Sequence, residues 1–249
     1  SWNKGMNYAY SIVMLSIAIT FTSQADEIKK LKELGAGIFK TNGVVREINL
    51  NRSKIIDSEL KLLITFTKLT DLSLEQTRVT DKGLFYLESL SSIEWLNLFQ
   101  TNVGDEGAAH LTKHKSLQYL PIGKTKITDI GLAHIKKIKS LKYLGLRGNK
   151  ITDRGLKHLR ELPKLTELHL GETPITNLGI QQISKFTQLK KLWLHDTQIT
   201  DKSVSDLANL KNLKSLYLYK SKISIDGVQK LQRQLPRCEI FYRSENTAE

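Results

Sequence analysis

Cysteine is nearly absent from this chain: Cys238 is the only one in 249 residues, so no intramolecular disulfide can staple the fold. Four prolines and fifteen glycines are too few for a collagen-like or low-complexity chain. Acidic residues are also scarce relative to basic ones, 25 against 38, and the net charge of +13 raises nucleic acid or an anionic surface as a partner. No apolar run reaches the ~20 residues that a helix needs to cross a bilayer. The longest, Tyr8 to Phe21, follows Lys4 and precedes Ser23-Gln24-Ala25, a small-x-small pattern of the kind a signal peptidase cuts. Residues 1–25 are therefore expected to be a secretory signal peptide, or an uncleaved signal anchor, with a buried N-terminal helix as the alternative reading. No cysteine follows the expected cut, which argues against a lipoprotein anchor. The expected location is secreted, periplasmic or cell envelope.

Leucine is abundant, with 39 residues, and from Val45 it recurs at a fixed period of 24. Eight units begin at Val45, Leu69, Ile93, Leu117, Leu141, Leu165, Leu189 and Leu213, with no insertion between them. Apolar residues fall at unit positions 1, 4, 6, 11, 16, 19 and usually 22. Positions 4 and 6 alternate as in a strand, whereas 16, 19 and 22 are spaced as on a helical face, so each unit is predicted to be a strand followed by a short helix. Position 11 is always Ile or Val. Thr80-Asp81, Thr128-Asp129, Thr152-Asp153 and Thr200-Asp201 offer oxygens to the free amides of a first helical turn. Position 9 is Ser, Thr or Asn throughout, and a ladder of bonds from it to adjacent coils is expected.

The pattern L-x-x-L-x-L-x-x-[TN]-x-[IV]-T-D-x-G-L-x-x-L-x-x-[LIF] over residues 45–236 resembles the leucine-rich repeat family. It is most similar to the type found in bacterial secreted proteins and in the repeat region of F-box adaptor proteins. The resemblance implies an α/β fold: a curved solenoid with a parallel β-sheet on the concave face and short helices on the convex face. Gly104, Asn177 and Ile225-Asp226 depart from the pattern and are expected to loosen their coils. Residues 26–44 are expected to form an N-terminal cap, with a helix over Asp26 to Leu34 and a hairpin strand turning at Thr41-Asn42-Gly43. Residues 237–249 are expected to be a C-terminal cap strand and a tail. Cys238 reads there as a small buried residue, since no histidine motif adjoins it.

Side chains at unit positions 3, 5 and 7 leave the sheet on the concave side. Of the fourteen aromatic residues after residue 25, seven fall in these columns: Trp95, Phe99, Tyr119, Tyr143, Trp193, Tyr217 and Tyr219. With Arg147, His169, Lys191 and His195 they make up the candidate ligand-binding set, because large rings and arginine anchor interfaces. Mutual packing along neighbouring coils is the alternative explanation, but it leaves open why the first two units carry no ring in these columns. His169 and His195 lie near Glu167, Glu172 and Asp196, which could make a contact pH-sensitive. His110, His134 and His158 share position 18 and should line up on the convex side, where no carboxylate joins that column before Asp206, so no metal site is assigned.

No phosphate loop, zinc spacing or nucleophile elbow occurs in the sequence, and no cofactor or enzymatic activity is assigned. Lysine and arginine gather at position 10 and on the convex side, whereas concave columns 3, 5, 7 and 8 hold five basic and six acidic residues. That distribution argues against nucleic acid. The leading reading is a non-catalytic module that binds a protein or peptide on an aromatic concave face. Alternatives are a cell-surface polysaccharide-binding protein and a substrate adaptor of the F-box type, although residues 26–44 are too short for an F-box.

Overall fold

The computed structural model describes residues 24–242. The expected signal and the tail therefore lie outside the described residues, apart from positions 24 and 25, which open a helix, α1, running over residues 24–33. Leu31 of α1 is fully buried, and Ile28 and Leu34 pack against the same core. A hairpin of β1 (Gly37–Thr41) and β2 (Val44–Asn49) follows. Asn42 and Gly43 both take positive φ, 51° and 80°, as a tight two-residue hairpin turn requires.

Ten strands form one sheet in chain order, antiparallel between β1 and β2 and parallel from there on. β2 carries the strand of the first unit, and those of the other seven are β3 (Asp71–Ser73), β4 (Trp95–Asn97), β5 (Tyr119–Pro121), β6 (Tyr143–Gly145), β7 (Glu167–His169), β8 (Lys191–Trp193) and β9 (Ser215–Tyr217). β10 (Glu239–Phe241) pairs with β9 in the same register, Phe241 against Tyr217. The period of 24 thus continues into a partial ninth unit, with Ile240 and Phe241 at positions 4 and 5.

Each return path is a short helix, α-helical or 3₁₀. The first is η1 (Asp57–Leu63), followed by α2 (Asp81–Leu84), which runs on into the 3₁₀ turn η2 (Phe85–Leu87); then come α3 (Asp105–Leu111), α4 (Asp129–Ile135), η3 (Gly155–Glu161) and α5 (Asn177–Ile183). The series ends with η4 (Asp201–Ser203), α6 (Val204–Leu207) and α7 (Ile225–Gln234). The core is one continuous apolar column filled by positions 4, 6, 11 and 19, at 0–2% exposure in every unit. None of the described helices is long and apolar enough to cross a membrane.

Two features differ from the sequence reading. Position 9 bonds within its own coil: Thr77, Thr101, Thr125, Thr173 and Thr197 donate to the carbonyl three residues earlier at 2.5–2.8 Å. A threonine side chain is too short to span to the next coil, and only the longer Asn149 does so, donating to the Ile122 carbonyl at 3.0 Å and accepting from Thr125 N at 2.9 Å. The departures from the pattern also do not loosen their coils. Gly104 N donates to Asp81, Thr200 N donates to Asn177 Oδ1 at 2.9 Å, and Ser224 caps α7 by accepting from Gly227 N at 3.0 Å.

Candidate functional site

The strands hold the concave columns in strict register, so residues 24 positions apart in sequence stand on adjacent strands ~4.8 Å apart. Column 5 then reads Gly145, His169, Trp193, Tyr217 and Phe241, and column 7 reads Arg147, Gly171, His195 and Tyr219. A spacing near 4.8 Å is close to aromatic stacking distance, and the rings use it. Trp193 and Tyr217 stack with centroids 5.1 Å apart, Tyr217 and Phe241 at 4.4 Å, and His195 and Tyr219 at 4.6 Å. His169 extends the row at 5.3 Å from Trp193, and Tyr143 meets Trp193 edge-on at 6.3 Å.

The sequence-predicted residues therefore do not form one continuous patch. Tyr143, His169, Trp193, His195, Tyr217 and Tyr219 make a packed cluster in the C-terminal half. Among the described residues no ring pair joins Trp95, Phe99 or Tyr119 to it. Trp95 and Tyr119 are paired in register on β4 and β5, and Tyr119 is the only ring of the predicted set that is exposed, at 39%. Mutual covering is thus a large part of why these rings sit where they do. Phe241 was missed by the sequence reading. Counting the period one step past Pro236 places it at position 5, which is the signal that would have found it.

Glycines shape the face beside the rings. At Gly171 a Cβ would collide with the His195 ring, which lies over it. At Gly145 a Cβ would stand 2.6 Å from the Tyr143 hydroxyl, because Tyr143 folds back along its own strand. Charge is concentrated at Glu172, which accepts from Arg147 Nε at 2.6 Å and from a second guanidinium nitrogen, with Lys124 at 3.4 Å. Hydrogen bonding from Arg147 holds the Glu172 carboxyl below its ordinary range. Lys191 pairs with Glu167 at 3.3 Å.

Burial, aided by His195 and Arg147, lowers His169 to about 4, and burial also lowers His195. Both rings are therefore neutral at physiological pH, which corrects the expectation of a pH-sensitive contact tuned by neighbouring acids: desolvation and the arginine outweigh the carboxylates. On the convex side His110 bonds Glu88 of the preceding coil at 2.6 Å. Among the described residues no group of three or more His, Cys, Asp or Glu is arranged to hold a metal. Cys238 is buried, and burial pushes its thiol up to about 11, far from a nucleophile's range.

A family model described as leucine rich repeat matches residues 115–175. Among solved structures, internalin C2 of Listeria monocytogenes is similar over 80% of this chain and 81% of its own, with a TM-score of 0.62 and 21% identity. The chain is built of leucine-rich repeats and has their solenoid fold. A leucine-rich-repeat protein of Leptospira interrogans is similar at 21% identity and a TM-score of 0.53, over 78% of this chain. The match spans 60% of that longer protein. No curated protein matches the sequence. At these identities the likeness establishes the solenoid and leaves the function to the chain's own concave face.

Proposed function

We propose that this leucine-rich-repeat protein is a non-catalytic interaction module, secreted or held at the cell surface, that binds a peptide or protein segment along its concave sheet. Leucine-rich-repeat domains are typically protein-interaction modules, which supports the class. The observation that carries the reading is the ring row His169, Trp193, Tyr217, Phe241, half-buried on a sheet whose position is enforced by hydrogen bonds in every coil. Such a row is pre-organised, so little conformational entropy is lost when a partner covers it. Ring orientation favours a peptide over a polysaccharide. The planes of Trp193 and Tyr217 lie within 6° of each other and face one another, so the faces a sugar would stack on are already occupied.

The test is selection of displayed extended peptides against the full chain, repeated on Trp193→Ala with Tyr217→Ala. We expect selected peptides to lose roughly a hundredfold or more in affinity on the double variant, since central aromatic anchors are each worth on the order of 2 kcal/mol. Selected binders indifferent to both rings, or a glycan array giving the stronger hits, would sink the reading.

A further inference from the structure

Between the two aromatic groups the concave face has a notch of about 180 Å³, bounded by Phe99 on one side and by Tyr143, Arg147 and His169 on the other. Two coils present glycine at its floor, where neighbouring groups leave no room for a side chain. At Gly123 a Cβ would stand 2.7 Å from the backbone oxygen of Arg147 and 3.2 Å from the Phe99 ring, so no other residue fits without moving the chain. At Gly145 the space above the backbone is taken by the Tyr143 hydroxyl.

The polar groups around this notch are one-sided. Arg147 has five N–H donors and no acceptor, and Glu172 engages only its Nε and one terminal nitrogen. The Tyr143 hydroxyl can donate. His169 has its Nε2 buried without a hydrogen-bond partner among the described residues, a costly state unless something supplies one. The nearby carboxylates are both engaged, Glu172 by Arg147 and Lys124 and Glu167 by Lys191, which leaves one excess positive charge in the group. Apolar walls, a donor-rich rim and a net positive charge describe a site for a small acceptor-rich anion on an apolar stem.

We propose that the notch is the subsite for an acidic side chain of the peptide ligand, its stem between Phe99 and Tyr143 and its carboxylate on Arg147, the Tyr143 hydroxyl and His169. This deepens the peptide-binding reading and rests on it. The notch lies about two strands from Trp193, roughly 10 Å, so the acidic residue falls about three positions from the one that contacts the ring row.

The test is an NMR titration of the isotope-labelled full chain with N-acetyl-glutamate N-methylamide and, separately, its glutamine counterpart. The expected result is saturable movement of the Gly123 and Gly145 amide signals, roughly tenfold tighter for glutamate, because a charge-assisted bond is replaced by a neutral one. Arg147→Gln removes the preference for glutamate. Equal affinity of the two probes, no saturable movement at these glycines, or tighter binding of glucuronate would each overturn the proposal. The peptide selection above separates the two readings: binders that need Trp193 and Tyr217 but carry no acidic residue leave peptide binding standing and remove the notch.

Discussion

His169 is held neutral in the fold, and this carries a stability cost that depends on pH. In an unfolded chain the ring takes up its proton near 6.5, whereas in the fold it does so at about 4, because burial disfavours the charged form. Between those values the unfolded state binds more protons, so stability is complete above 6.5 and falls as pH falls toward 4. His195 is lowered in the same direction and adds to the loss. The urea midpoint should drop between pH 7 and 5, a window above the carboxylates, and His169→Phe should flatten that drop; its share is on the order of 1–2 kcal/mol after discounting for partial exposure. A profile unchanged by the substitution would show that His169 is not the source. Burial lowers His114 in the same direction, and here the ring sits in the apolar core. It occupies position 22, where six other units place Phe66, Leu90, Ile138, Leu162, Phe186 and Leu210 and the last places Gln234, and it is 1% exposed. Its Nδ1 reaches the Leu90 carbonyl at 3.1 Å, but Nε2 has no partner among the described residues. Replacing it with leucine should therefore stabilise the protein by about 1 kcal/mol, measured by urea denaturation, since an unpaired buried nitrogen costs more than the single bond returns. The column positions of all these histidines were legible from the repeat. Their protonation was not, because it depends on how deeply each ring is covered.

The connection between coils is made by the residue at position 13. Asp57, Asp105, Asp129 and Asp153 each accept from both the amide and the hydroxyl of the threonine 23 residues on, at 2.5–2.9 Å. The sequence reading assigned Asp129 and Asp153, with their preceding threonines, to the caps of their own helices, and the threonine does serve that role, as Thr128 accepts from Ile130 N at 3.3 Å. The aspartate instead joins neighbouring coils, and this explains the glycine at position 15. At Gly131 a Cβ would stand 2.6 Å from Asp105, and the same collision recurs at Gly83 and Gly107. Where the acid is replaced by Asn177, the facing residue is Ser203, whose hydroxyl donates to Asn177 Oδ1 at 2.6 Å. The chain thus contains both solutions, and they can be exchanged. Gly155→Ser alone should cost about 2 kcal/mol by crowding Asp129, and adding Asp129→Asn should recover most of it. Additive losses in that double-mutant cycle would sink the coupling. The loop before each of these ladders turns on a residue at position 8 with φ of 50° to 69°, and only Gly148 among the eight is glycine. Asp196→Val, placing a branched side chain at φ 57°, should cost about 1–2 kcal/mol in urea denaturation. Asp196→Gly should stay within about 0.5 kcal/mol, because relief of strain offsets the entropy of the unfolded glycine.

At the scale of the whole molecule, a period without insertions made the solenoid readable, since every unit repeats the same choice of core column, cap and turn. The binding face was readable only as columns. Which rings touch depends on rotamers set by the coil spacing, and Phe241 escaped notice as a column-5 ring because residues 237–249 read as a cap strand and tail and not as the start of a ninth unit. The same one-dimensional order predicts how the protein should unfold. Strands pair only with their immediate neighbours, and helices pack mainly on the helices of adjacent coils, so cooperativity passes through each coil in turn. Leu144, fully buried on β6, sits at the midpoint of that relay, with intact coils on either side. Leu144→Ala should cost about 2–5 kcal/mol at that coil through lost burial and the cavity left behind. Because neither flank depends directly on the other, the loss should weaken the joint and leave both stacks their own ladders. Urea unfolding followed by Trp95 fluorescence for the N-terminal flank and Trp193 for the C-terminal flank should then separate into two midpoints, with a reduced m value for each. If the transitions instead stay superimposed and merely shift together, the coils are coupled over longer range than nearest-neighbour contacts allow, and the solenoid unfolds as a single unit.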